Sequence, residues 1–375
     1  MCYTMMTDLK DTRTMVSNHL FDSSSFDAHE RVISVYDEAS GLKAIIALHS
    51  TALGPAAGGT RMYPYATAED AFRDVLRLSR GMSYKNAMAG LPLGGGKAVI
   101  IGDPKTGKSE AALRAFGRAV NELAGRYYTA EDMNISVHDI ETMAQETPFV
   151  AGRENSPAPS GDPSPVTARG IHLGIKTCLE QKFGSSQVAG RRIAILGVGK
   201  VGGALARHLA SEDAELIIAD ANADAAHELA EKTGAKIVSI GRIFDEECDV
   251  FSPNAVGGIL DEINIERLNT AIIAGGANNQ LATTALGKRI HDRGILYAPD
   301  YVINGGGIIN VYAEIRVLQG KAESYDRDWV EAKLAKMNAN LAHVLEISQR
   351  DGRPSHEVAD AEARAIIAGT SELVV

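Results

Sequence analysis

Residues 193–210, IAILGVGKVGGALARHLA, restrict the fold more than any other stretch of the chain. An apolar run of strand length meets Gly197, Gly199 and Gly202, and an amphipathic helical pattern then begins. In a strand–turn–helix of this spacing each glycine has a mechanical task. Gly197 permits the tight turn, Gly199 lets backbone approach a pyrophosphate, and Gly202 lets helix and strand pack closely, with Lys200 and Val201 in the first helical turn. Unpaired N–H groups at the helix start then face the anion. The next apolar run, ELIIAD, ends in Asp220, a carboxylate placed to accept hydrogen bonds from an adenosine ribose. No arginine follows in ADANADAA to pair with a ribose 2′-phosphate, so the cofactor expected is NAD and not NADP.

Around this motif the chain reads as α/β in two domains. RRIAILG, AELIIAD, KIVSI, CDVFSPN, TAIIAGGAN and GILYAPD recur between helical patterns and predict six strands of a doubly wound parallel sheet. Earlier, LKAIIAL and KAVIIG alternate with the helical patterns TAEDAFRDVLRLSRGMSY and KSEAALRAFGRAVNELAGR, which predicts a first α/β unit with a mainly parallel sheet. Prolines 157, 159, 163 and 165 break the texture and suggest a stiffened connection and hinge at 155–165. The expected division is a substrate-binding and catalytic domain at 1–152, a Rossmann domain at 153–329, and C-terminal helices at 330–375 that pack back on the first domain.

A net charge of −10 without blocks of like charge argues against nucleic-acid and anionic-membrane partners, and leaves small-molecule chemistry. Cys2, Cys178 and Cys248 are too few and too scattered for a disulfide framework or a zinc site, so no metal is expected. The first twenty residues lack the apolar core of an export signal, and no run of about 20 apolar residues suits a membrane span. A cytoplasmic location follows as the expectation.

Two glycine-flanked lysines compete for chemical meaning. GDPKTGKS, 102–109, has the letters of a triphosphate-binding loop, yet Pro104 removes an N–H from the cradle and Asp103 brings a negative charge to it. A plain turn with Ser109 as helix N-cap explains the same residues, and an NTP hydrolase remains the remote alternative. Lys97 in GLPLGGGKA fails that pattern, since Leu91 and Ala98 stand where the first glycine and the hydroxyl belong. Lys85 lies twelve residues earlier. Two neighbouring amines lower each other's proton affinity, so one of them could serve as a base near neutral pH.

LGPAAGGTRMYPY, LRLSRGMSYKNAMAGLPLGGGKAVIIGDP, GRYYTAEDM, PSPVTARG, AGGANNQL and YAPDYVINGGGIINV follow one another from about residue 53 to 311. Together they resemble the amino acid dehydrogenases of the glutamate, leucine, phenylalanine and valine group, most of all its leucine dehydrogenase branch, and the resemblance runs in order from about residue 30 to the C-terminal helices. The resemblance implies NAD-dependent, reversible oxidative deamination of an L-amino acid to a 2-oxo acid and ammonia, by a homo-oligomer. It implies Lys97 as the catalytic lysine, taken to be neutral, and Asp132 as the acid that moves protons to and from the amino nitrogen. Lys85, Asn278 and the backbone at Gly58 and Gly59 would orient the substrate carboxylate, and Thr167 and Asn278 would lie at the nicotinamide.

At the positions that the resemblance assigns to the substrate side chain stand Ala57, Ala130, Ile308 and Val311, all apolar. Such a pocket would leave a glutamate carboxylate unpaired, so a branched-chain substrate is expected, leucine first, with valine or phenylalanine as alternatives. Ala57 replaces the leucine usual in the leucine branch, and Ile308 a frequent valine. DMNIS after Asp132 also replaces a Gly-Thr pair. A non-catalytic NAD-binding protein would be expected to have lost Lys85, Lys97 or Asp132, and all three are present.

Overall fold

The structure, a computed structural model, describes residues 20–371 and Leu373. The reading of the N-terminal stretch, with Cys2, therefore lies almost wholly outside the described residues. The first sheet contains β1 (Arg31–Asp37), β2 (Leu42–Ser50), β3 (Ala56–Ala57), β4 (Thr60–Tyr63), β5 (Gly94–Ile101) and β6 (Tyr127–Tyr128). Its order is β1-β2-β5-β3-β6, with β4 also on β5. β3 and β4 run parallel to β5 and β6 runs parallel to β3, while β1–β2 and β2–β5 are antiparallel. The sheet is thus mixed: β3, β4, β5 and β6 run parallel, whereas β2 is antiparallel both to β5 and to β1, from which residues 38–41 turn the chain back directly.

The second sheet is the parallel one that the apolar runs predict. β7 (Arg192–Leu196), β8 (Glu215–Ala219), β9 (Lys236–Ile237), β10 (Glu247–Pro253), β11 (Asn269–Ile273) and β12 (Leu296–Tyr297) pair in the order β12-β11-β10-β7-β8-β9, every pair parallel. The outer runs KIVSI and GILYAPD contract to two-residue strands, because the edges of the sheet offer partners on one side only. Both faces are covered. Ile193, Ile195, Ile218 and Val250 enter one core and Ala194, Leu196, Ile217 and Phe251 the other, which is why these strands are apolar throughout. The strand order reverses between β7 and β10, the crevice where such sheets bind ligands.

The helix Ser164–Phe183 begins inside the proline-rich stretch, with Pro165 in the first turn, where its missing N–H has no partner to lose. The last helices, Gly306–Leu318, Arg327–Asp351 and Ser355–Ile367, return to the first sheet's lobe. Leu334 and Met337 share a core with Leu91 and Leu93, Asn340 donates to the Met88 carbonyl at 2.9 Å, and Lys333 to that of Gly90 at 2.6 Å.

One contact places the first lobe's chemistry. The helix Ala68–Met88 starts at Thr67, whose side chain accepts from the Asp70 amide, and turns Ser79, Ser83 and Asn86 toward β5. A Cβ built on Gly95 would stand 2.1 Å from the Ser83 amide nitrogen and 2.5 Å from the Ser79 carbonyl oxygen, so only glycine lets the helix lie this close. Asn86 donates to the Gly94 carbonyl at 2.6 Å and locks the arrangement. A methyl group here meets backbone. Gly95→Ala is therefore expected to lower unfolding free energy by roughly 1–3 kcal/mol, the usual cost of overpacking, in urea or thermal melts. Wild-type stability would show that the contact yields.

Candidate active site

Period two along β5 decides what faces the helix Ala68–Met88. Val99 packs there with Val75 and Leu76, Ala98 and Ile100 enter the opposite core, and Lys97 therefore projects on the helix side. Lys85, in the last turn of that helix, reaches the same cleft of about 420 Å³. Ala57, Gly58, Gly59, Ala130 and Asp132 line it from the first lobe. Thr167, Val201, Asn278, Ile308 and Val311 line it from the other side. Every substrate and catalytic residue expected from the sequence meets in this one space.

Lys97 Nζ lies 2.7 Å from Asp132 Oδ2, and Arg61 Nε donates to the same oxygen at 3.1 Å. Burial pushes the Asp132 carboxyl up, but Lys97 and Arg61 outweigh it and hold the group below the usual carboxylate range. Lys85 Nζ donates to Asn278 Oδ1 at 3.2 Å, and Asn304 Nδ2 donates to that oxygen at 2.9 Å, so the two lobes touch here. Burial pushes Lys85 down to about 8, opposed by Asp300 and assisted by Lys97. Asp300 is itself raised by burial against the pull of Lys85.

Burial weakens the hold of Lys85 on its proton, and Lys97 lies against the Asp132 carboxylate. Lys97 has a counter-ion at contact distance, and Lys85 has only a neutral amide oxygen. The Gly58 N–H donates to the Tyr128 carbonyl at 3.2 Å. Gly58 and Gly59 also supply room: Cβ atoms there would stand 2.0 Å from the Gly96 carbonyl oxygen and 2.2 Å from that of Glu131. The DMNIS segment forms a turn in which Asn134 takes a positive φ of 62° and donates to the Met62 carbonyl at 3.0 Å. Asparagine tolerates that conformation, so the missing glycine leaves Asp132 in reach of Lys97.

The dinucleotide motif lies at the carboxyl ends of β7 and β8. Gly197 has φ 94°, and a Cβ there would stand 2.7 Å from the Ala255 amide nitrogen at the β10 end. A Cβ on Gly202 would meet the Gly197 carbonyl oxygen at 1.9 Å, whereas Gly199 faces open space before the helix Lys200–Ala210. The cradle is the kind a pyrophosphate fits, and Val201 joins it to the catalytic cleft. Asp220 accepts from the Val198 amide at 2.6 Å and the Asn222 amide at 2.8 Å, which fixes its carboxylate at the rim. Lys200 pairs with Asp162 at 3.2 Å on the surface, and Thr167 Oγ1 donates to the Pro163 carbonyl at 2.9 Å.

GDPKTGKS is a turn. Thr106 and Gly107 donate to the Asp103 carbonyl, Ser109 caps the helix Glu110–Asn121, and Lys108 is spent on Asp139 at 2.7 Å. The sequence reading missed Arg61, Asp300 and Asn304. The available signal for Arg61 was a lone cation inside the short strand TRMY, and for Asp300 a carboxylate at a strand's carboxyl end.

A dinucleotide-type cradle opening onto a cleft with paired amines and carboxylates is an arrangement that a dehydrogenase requires. The description Glu/Leu/Phe/Val dehydrogenase, dimerisation domain, matches residues 29–149, and Glutamate/Leucine/Phenylalanine/Valine dehydrogenase matches 215–373. The leucine dehydrogenase of Bacillus subtilis is 47% identical over 332 residues, 88% of this chain and 89% of the relative. The valine dehydrogenase of Streptomyces virginiae is 44% identical over 349 residues, 91% and 94% of the two chains. The crystal structure of L-tryptophan dehydrogenase from Nostoc punctiforme superposes with TM-score 0.80 at 40% identity, covering 92% of this chain and 97% of that one. The chain belongs to the Glu/Leu/Phe/Val dehydrogenase family and is an amino acid dehydrogenase.

An amine that titrates near 8 is a better nucleophile at that pH than surface lysines. Acylation of the free protein, mapped by mass spectrometry, is expected to label Lys85 with a rate that climbs as pH rises through about 8. A midpoint at the ordinary lysine value would contradict the burial argument.

Proposed function

We propose that the protein catalyses the NAD-dependent, reversible oxidative deamination of an apolar L-amino acid, leucine first, to its 2-oxo acid and ammonia. One observation carries this reading: a Lys97–Asp132 pair at 2.7 Å and a Lys85–Asn278 contact share one cleft beside the dinucleotide turn. Lys85 and Asn278 hold the substrate carboxylate, and such orientation supplies up to about 7–11 kcal/mol of a barrier. The nicotinamide, when bound, accepts the hydride that leaves the α-carbon. The resulting iminium carbon is attacked by water. With the pair's proton on Asp132, Lys97 takes a proton from that water, and Asp132 passes its own to the nitrogen as the carbon–nitrogen bond breaks. The Asp132 carboxylate takes up the hydroxyl proton as the carbonyl forms and ammonia leaves.

Gly197, Gly199, Gly202 and the start of the helix Lys200–Ala210 hold the pyrophosphate in this account, with Lys200 and Val201 beside it. Asp220 holds the adenosine ribose and disfavours a 2′-phosphate, while Thr167 and Asn278 face the nicotinamide. Ala57, Ala130, Ile308 and Val311 receive the side chain. Ala57 widens the pocket and Ile308 narrows it, so valine and phenylalanine stand as alternatives to leucine.

The lobes divide as 1–152, 153–329 and 330–375, with the hinge at 155–165, and the cleft closes to exclude water. The dimerisation-domain match over 29–149 supports a homo-oligomer. No helix among the described residues is long and apolar enough to cross a membrane, which is consistent with a cytoplasmic enzyme.

A panel of L-amino acids with NAD, followed by NADH absorbance, is expected to give the highest kcat/KM with leucine. Absence of NADH with every amino acid would refute the function. Lys97→Ala should lower turnover by roughly 10²–10⁴-fold while NADH still binds, and near-normal turnover would remove Lys97 from the chemistry. Asp220→Ala should weaken NAD by about tenfold or more, the worth of hydrogen bonds to a charged group. Unchanged affinity in a titration would place the ribose elsewhere.

A further inference from the structure

Arg61 has no part in the reaction steps proposed above. It sits on β4 with its side chain 18% exposed, and its guanidinium bridges two carboxylates. Nε donates to Asp132 Oδ2 at 3.1 Å and Nη1 to Asp74 Oδ2 at 3.0 Å. Asp74 is fixed in turn, accepting from Tyr65 OH at 2.6 Å and Arg77 Nη2 at 3.3 Å. Lys97 reaches Asp132 on a flexible stem as a point charge, whereas Arg61 offers a planar fork anchored at both ends. Both cations fall on the same oxygen of Asp132, so its carboxylate orientation is set from behind by Arg61 and from the strand side by Lys97.

We propose that Arg61, anchored by Asp74, is a positioning residue that aligns the Asp132 carboxyl on Lys97 for proton transfer to the amino nitrogen. The proposal rests on the deamination reading above. Other charged or titratable groups facing Asp132 are Lys85 on the helix Ala68–Met88, Tyr127 on β6 and Glu131 beside it, with Asp300 beyond Lys85. The direction of the effect follows from the loss of a cation: without Arg61 the Asp132 carboxyl binds its proton more tightly.

The test compares Arg61→Met, Arg61→Lys and Asp74→Asn as full-length enzymes, with pH profiles for the amino acid on which wild type is most active. Arg61→Met is expected to lose about tenfold or more in kcat, as misplaced groups do, with the amino acid KM within about threefold and NADH affinity unchanged. Its acid limb in kcat/KM should move up by about one pH unit. Arg61→Lys restores the charge, so the limb should return toward wild type while kcat recovers only in part. Asp74→Asn leaves Arg61, Lys97 and Asp132 in place and tests the far anchor if Arg61→Met folds poorly: kcat should fall several-fold without an upward limb shift. An unmoved acid limb with wild-type kcat in Arg61→Met, or wild-type kcat in Asp74→Asn, would overturn the proposal. So would a pH-independent loss that matches a loss of NADH sites. A wild-type enzyme inactive on every amino acid would instead refute the underlying function, an outcome read before any variant is made.

Discussion

The close approach of one helix to one glycine strand underlies the site. Because Gly95 has no side chain, the Ser79–Ser83 face of the helix Ala68–Met88 rests on β5 backbone, and this brings Lys85 beside Lys97. A bulkier residue would lift the helix and separate the amines. The three glycines before Lys97 therefore do the opposite of what a phosphate loop does: they receive protein, not ligand. Close packing of this kind is rigid, as protein interiors generally are, and a rigid floor suits chemistry that depends on sub-ångström placement.

Upon that floor the charges are sorted by their partners. Asp132 is buried enough for its carboxyl to be driven up, yet it sits between Lys97 and Arg61 and stays ionised. Lys85 has only a neutral amide oxygen in contact and Asp300 at longer range, so burial weakens its hold on the proton. In the proposed reaction a substrate carboxylate arriving at Lys85 would supply the counter-ion that the free protein withholds. Binding energy would then be concentrated at the substrate end that does not react, leaving the Lys97–Asp132 pair for the end that does.

Much of this was legible in the sequence, for identifiable reasons. The second sheet announced itself because strands covered on both faces are apolar throughout, and because Gly197, Gly199, Gly202 and Asp220 each answer a local backbone demand. That Ala57, Ala130, Ile308 and Val311 line one cleft was legible through several blocks at fixed separations. Less legible was how the two lysines would be partnered, since that depends on where Asp132 points before the turn at Asn134. Arg61 was invisible as chemistry for the same reason: its partners, Asp74 and Asp132, come from a helix and from a loop 71 residues away. The antiparallel pairing of β2 with β1 and β5 went unread because apolar runs such as LKAIIAL carry no sign of strand direction.

The most direct measurement is a crystal structure of the enzyme with the nicotinamide cofactor and a branched-chain 2-oxo acid. The account predicts the ligand carboxylate within hydrogen-bond distance of Lys85 Nζ and Asn278, and its carbonyl carbon between the Lys97–Asp132 pair and the nicotinamide ring. A carboxylate bound at Lys97, or a ligand outside the cleft between the two sheets, would contradict it.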